Sequence, residues 1–225
     1  MLRILDSAQR SHHVVGAVAE IGVHHGKLFT ALNLLQENGS SVAIDVFGEQ
    51  HLNVDNSGRG DLGIFQRNIA RWSSADGVRI HRGDSTKLQS SALLELADAR
   101  IRLFSVDGGH AEECVVSDMR LAEDTLVAGG VVIADDVFNE EWPEVLVGTL
   151  HYMKGGGMLI PFAIGFNKVF FAFSERVGLY RDALNAHLSR NLLINVKTAN
   201  FMGYEVLVVS RKPRNRIRQW HNYHN

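Results

Sequence analysis

Residues 14–39 read VVGAVAEIGVHHGKLFTALNLLQENG, and their pattern decides the fold. The nearly continuous apolar run 14–23 is short and rich in β-branched residues, which suits a strand covered on both faces. Gly22 and Gly26 bracket a turn at its end. Beyond the turn, Leu28, Leu32 and Leu35 recur at helical spacing, and Gly39 is placed to cap the helix C-terminus. The unit is strand, glycine turn, helix.

The same unit repeats outward. Apolar runs at 41–47, 77–83, 101–108 and 129–136 read as strands, and 167–174 and 204–210 as two more. Between them lie amphipathic stretches. STKLQSSALLELADA opens on Ser85 as an N-cap, and AEECVVSDMRLAEDTLVAGG is expected to stop at Gly129. Trp142-Pro143 starts a further helix, with Pro143 in its first turn; Trp142 could also wall an acceptor pocket. Alternating strands and helices predict an α/β fold with a doubly wound, mostly parallel, seven-stranded sheet. One domain over residues 1–210 and a basic tail over 211–225 are expected. The tail has five basic and no acidic residues and reads as a solvated or subunit-contacting segment.

One stretch breaks the alternation. Residues 48–72, GEQHLNVDNSGRGDLGIFQRNIARW, are polar in their first half and helical in their second. The segment 48–61 is either an ordinary surface loop or a lid over a ligand crevice, since such crevices lie at the C-terminal ends of parallel strands.

Composition bounds the partners. A chain of 225 residues with 45% apolar and 21% charged content buries a full core. The net charge of -2 argues against nucleic acid and acidic membranes as partners. A single cysteine, Cys114, fits a reducing compartment. Neither a signal peptide nor a membrane span is visible: the apolar run 126–134 falls far short of the ~20 residues a span needs. A cytoplasmic location is expected.

The glycine turn carries chemistry. A dinucleotide fingerprint starting at Gly22 needs glycine at 24 and 27, where His24 and Lys27 stand, so a nicotinamide cofactor is disfavoured. Glu20-x-Gly22-x-x-x-Gly26 instead resembles the first motif of class I S-adenosylmethionine-dependent methyltransferases. That resemblance implies a Rossmann-like fold with Glu20, Gly22 and Gly26 about the amino-acid end of the cofactor. It also implies Asp45 on the ribose, and Gly83, Asp84 and Ser85 about the adenine. Asp107, at the end of the fourth strand, joins the cofactor set.

A parallel sheet would gather Glu20, Asp45, Asp84, Asp107, Asp135 and Asp136 along one edge. Carboxylates so close raise one another's pKa and destabilise the site unless something positive lies between them. The cofactor can answer for Glu20, Asp45 and Asp84. A hard cation, magnesium or manganese, answers for Asp107, Asp135 and Asp136. Asp107-x-x-His110 followed by Asp135-Asp136 resembles the magnesium-dependent sugar O-methyltransferases of macrolide biosynthesis. By that resemblance Asp107, Asp135 and Asp136 hold the metal, His110 is the catalytic base beside Asp107, and the acceptor is a sugar or oligosaccharide. Such enzymes are often dimers. The alternatives are a metal-independent methyltransferase of small molecules or phenols, a nucleotide-binding oxidoreductase, and a non-catalytic binding protein. Ser105 and Cys114 have no nucleophile–base arrangement around them.

Overall fold

A computed structural model describes residues 1–36 and 39–212. Along the chain run α1 (Leu2–Ser11), β1 (Ala17–Ile21), α2 (Lys27–Leu35), β2 (Ser41–Asp45), α3 (Leu62–Trp72), β3 (Val78–Arg82), α4 (Ser90–Ala97), β4 (Ile101–Val106), α5 (Glu112–Thr125), β5 (Leu126–Ala134), α6 (Pro143–Lys154), β6 (Leu159–Gly165), β7 (Lys168–Phe173), α7 (Ser174–Leu188), β8 (Ile194–Phe201) and β9 (Tyr204–Arg211). Short 3-10 turns lie at Gln50–Leu52 and Ser85–Lys87. No helix among the described residues is long and apolar enough to cross a membrane.

The α/β architecture is as read from the sequence, but among the described residues the sheet has nine strands, in the order β3-β2-β1-β4-β5-β7-β6-β9-β8. β3, β2, β1, β4 and β5 are parallel. β7 then runs antiparallel to both β5 and β6, and β8 antiparallel to β9. The two strands the sequence hid are β6 and β8. Pro161 interrupts the apolar run of β6 and is accommodated where its register against β7 shifts. β8 is an edge strand with many exposed positions and offers no apolar run.

Successive residues of a strand face opposite sides, and each side of this sheet has its own core. Ala17, Ala19 and Ile21 of β1 pack with Leu93 of α4, Met119 of α5 and Tyr152 of α6. Val18 packs with Leu5 of α1, Leu32 of α2 and Tyr180 of α7. On that second side Arg102 of β4 is buried, held by Asp6 at 2.9 Å and Gln9 at 2.7 Å from α1.

Three helix ends differ from the sequence reading. α2 stops at Leu35 with Gln36 extended, so Gly39 is not its cap. Ser85 begins a 3-10 turn whose cap is Asp84, and α4 starts five residues later. α5 ends at Thr125 rather than Gly129, because Leu126 is extended and already belongs to β5. Of the basic tail, Arg211 closes β9; positions 213–225 lie outside the described residues.

Candidate active site

Because β1, β2, β4 and β5 are parallel, Ile21, Asp45, Val106 and Ala134 end at one edge of the sheet. The order in which strands are added to the sheet reverses between β1 and β4, the place where open α/β sheets leave a crevice. A cavity of about 300 Å³ fills it, a size at the lower end of small-molecule sites, ~300–1,000 Å³.

The glycine turn forms one wall. Gly22 has φ 79°, and a Cβ there would lie 1.6 Å from the Asp107 carbonyl oxygen, so only glycine lets the ends of β1 and β4 close together. Gly26, with φ 83°, begins α2 and packs on Phe65. Asp45 organises this turn: its Oδ2 accepts from the His24 N–H at 2.7 Å and its Oδ1 from the Phe47 N–H at 2.5 Å. A carboxylate has about four acceptor positions, so Asp45, which lines the cavity, can also receive hydroxyls. Gly83, Asp84 and Ser85 line the same cavity. Asp84 caps its turn through Oδ1, which accepts from Thr86 N at 2.9 Å and Thr86 Oγ1 at 2.7 Å.

Glu20 lies beneath the turn rather than on the cavity wall. It is buried, and its Oε2 has no hydrogen-bond partner among the described residues. Burial, with the charges of Asp107 and Asp45 adding, holds its carboxyl well above the usual range, and Lys168 opposes this.

On the same cavity Asp107, His110 and Asp136 converge, with one ligand atom from each lying within 4.8 Å of the others. Burial pushes the Asp107 carboxyl up to about 6; Lys168 draws it down and Asp136 pushes it further up. Asp136 has φ 55°, a left-handed backbone uncommon for a non-glycine residue. Its Oδ1 accepts from Asn167 Nδ2 at 2.8 Å, and its Oδ2 lies 3.7 Å from His110 Nε2. The His110 ring stacks on Trp142, with centroids 4.1 Å apart and planes 10° from parallel. Asp55, from the 48–61 loop, accepts at Oδ2 from the His110 backbone N–H at 2.6 Å and lies 2.8 Å from Nδ1. Burial alone would lower the His110 pKa, but the Asp136 and Asp55 carboxylates outweigh it and raise the ring above its ordinary value.

The sequence reading groups Asp135 with Asp107 and Asp136; the structure turns Asp135 elsewhere. Its Oδ2 takes the Lys168 ammonium and its Oδ1 accepts from the Asp136 N–H at 2.8 Å. Antiparallel pairing is the cause. With Ala134 opposite Val169, the first residue of β7 stands beside the residue that follows β5. Asp55, Asn167 and Lys168 were not singled out from the sequence, although the loop carrying Asp55 was.

A family model described as a methyltransferase domain matches residues 19–137, the span from β1 to just past β5. The chain belongs to this family. It is an S-adenosylmethionine-dependent methyltransferase of class I fold. No curated protein matches it. Among solved structures, the O-methyltransferase NovP is similar at 17% identity and TM-score 0.61, over 76% of this chain and 78% of that one. CalS11, a TDP-rhamnose 3'-O-methyltransferase of calicheamicin biosynthesis, is similar at 18% identity and TM-score 0.54, over 77% of this chain and 78% of that one. At these identities the likeness is one of fold.

The methyltransferase's cavity fits its cofactor in the character of its walls. On that wall Asp45 offers acceptors suited to ribose hydroxyls; behind it the buried Glu20 has a carboxyl oxygen with no hydrogen-bond partner among the described residues, which a nearby ammonium would pair with and draw back to its charged form. Replacing Asp45 with alanine is therefore expected to weaken S-adenosylhomocysteine binding by roughly 1.5–3 kcal/mol, the worth of hydrogen bonds to a charged group. Titration calorimetry measures this, with NAD as the control ligand. Unchanged affinity would remove Asp45 from the cofactor site.

Proposed function

We propose that this methyltransferase methylates a hydroxyl oxygen with the help of a divalent cation, and that the acceptor is a sugar or a sugar-containing metabolite. The observation that carries the reading is the convergence of Asp107, His110 and Asp136 on a cavity that Asp45, Asp84 and Ser85 also line.

The donor set fits a cation. Two carboxylates and an imidazole lie within reach of one point, and the charge of Asp136 is among the causes that keep the Asp107 carboxyl raised to about 6. Oxygen-rich sets suit magnesium or manganese. Asp107 and Asp136 are the proposed ligands; Asp135, the third acid of the sequence reading, would join them only by exchanging its Lys168 partner. When bound, S-adenosylmethionine supplies a methyl group on positively charged sulfur, and a cation supplies charge that makes a neighbouring hydroxyl more acidic.

The chain's own residues do the rest. His110 Nε2 lies toward Asp136 and accepts the acceptor's hydroxyl proton. Trp142 fixes the plane of the imidazole by stacking. The loop residues Leu52, Asn53, Val54 and Ser57 wall the cavity beside His110, where they limit water and contact the acceptor. The sugar assignment draws support from vicinal hydroxyls, which chelate hard cations, and from CalS11, the TDP-rhamnose enzyme of similar fold.

Incubation with S-adenosylmethionine, magnesium and a panel of acceptors tests the assignment. One arm holds TDP-rhamnose and other nucleotide-linked or free deoxysugars; the other holds phenols. Mass spectrometry is expected to find one added methylene in the sugar arm. Methylation confined to the phenols would replace the acceptor class.

A further inference from the structure

We propose that Asp55 is a positioning residue: carried on the 48–61 loop, it fixes His110 in the tautomer whose Nε2 can accept a proton, so that seating this loop readies the base. The proposal rests on the reading of His110 as the base.

The geometry specifies the tautomer. An ionised carboxylate only accepts hydrogen bonds. Asp55 Oδ2 lies 2.8 Å from Nδ1, whereas Asp136 Oδ2 is 3.7 Å from Nε2, so the closer contact places the hydrogen of the neutral ring on Nδ1 and leaves the lone pair on Nε2. The same oxygen accepts from the His110 backbone N–H at 2.6 Å, which ties the ring and its main chain to one point. Hydrogen bonds from Ser57 and His110 outweigh burial and keep the Asp55 carboxyl at about 2, so it stays ionised. The groups facing the ring are Asp55 from the loop, Asp136 after β5, Asp107 after β4 and Trp142 before α6. Of the three carboxylates, Asp55 is the one within hydrogen-bond distance of Nδ1.

The loop is built to present this carboxylate. Asp55 Oδ1 accepts from the Ser57 N–H at 2.8 Å, and Asn53 Nδ2 donates to the Ser57 carbonyl at 2.5 Å, closing a tight turn. Asn53, Val54 and Ser57 also wall the cavity. Whatever fills the cavity therefore presses on the segment that orients the base. His110 itself follows Gly108 and Gly109, which have no side chains to hold it. Its orientation comes from Asp55, 55 residues away in sequence, and from Trp142.

Two readouts need no acceptor. Nitrogen-15 spectra at a pH where the ring is neutral, assigned with His110→Gln, are expected to place the hydrogen on Nδ1 in the parent. In Asp55→Asn, whose amide can donate to Nδ1, the hydrogen is expected to move to Nε2. Trypsin cleavage after the exposed Arg59 is expected to accelerate in both Asp55→Asn and His110→Ala, because the same contact is lost. With the sugar found in the acceptor panel, Asp55→Asn is expected to lose roughly 10²-fold in kcat, the lower end of what loss of a base costs. KM for S-adenosylmethionine should stay near the parental value, and Asp55→Glu should restore part of the rate. An unchanged tautomer in Asp55→Asn overturns the proposal and leaves the base reading standing. A moved tautomer with parental turnover overturns the base reading, and the proposal falls with it.

Discussion

Replacing His110 with alanine is expected to lower turnover by ~10²–10⁴-fold, the usual cost of removing a general base. Cofactor affinity should survive, because the contacts assigned to the cofactor come from the glycine turn, Asp45, Gly83 to Ser85 and Asp107, and none from His110. Cation affinity should survive as well if Asp107 and Asp136 are the ligands. The pH profile carries the sign. A base must be neutral to work, so parental activity rises as pH climbs through the ring's pKa, which the neighbouring carboxylates raise above the ordinary value. The apparent value belongs to the coupled group of His110 and the acceptor hydroxyl. In His110→Ala that inflection should vanish, and the residual rate should keep rising with pH as the acceptor hydroxyl ionises unaided. Normal turnover at neutral pH would show that another group takes the proton. Loss of the cation would make His110 a ligand instead.

Asp107→Ala is expected to act differently, abolishing cation binding and turnover together. Asp107 is half-buried between the ends of β1 and β5; its backbone N–H donates to the Ile21 carbonyl at 3.0 Å, so the change removes charge without removing that anchor. Titration calorimetry with manganese or magnesium reads the first loss, and methyl transfer the second. Asp107→Asn keeps the shape and tests whether charge is what matters. If Asp107→Ala binds the cation as the parent does, the acidic trio is not a metal seat. The two variants thus separate holding the cation from taking the proton.

Much of this site was legible because parallel strands share an edge. Once residues 14–39 read as strand, glycine turn and helix, the strand ends gather Glu20, Asp45, Asp84, Asp107, Asp135 and Asp136 at one edge, and of these Asp45, Asp84, Asp107 and Asp136 line the cavity. What escaped was set by geometry that no residue pattern encodes. Adjacent aspartates look equivalent in sequence, yet Asp136 adopts φ 55° and turns to the cavity while Asp135 meets Lys168. Lys168 was invisible because a wholly parallel sheet would put the first residue of a strand at the opposite edge; antiparallel β7 brings it to this one. Asp55 stood in a polar stretch without periodicity, where any of several residues could have been the functional one. β6 and β8 were hidden by a proline and by an exposed edge, and neither contributes to the cavity.

In the proposed mechanism this methyltransferase works through a cation seated at Asp107 and Asp136 beside the base His110. Its most direct test is methyl transfer by protein stripped with a chelator, followed by mass spectrometry on the acceptor identified in the panel. The account predicts no product from the stripped protein, restored product on adding magnesium or manganese, and no restoration in Asp107→Ala. Full transfer by the stripped protein, unchanged on adding either cation, would contradict it.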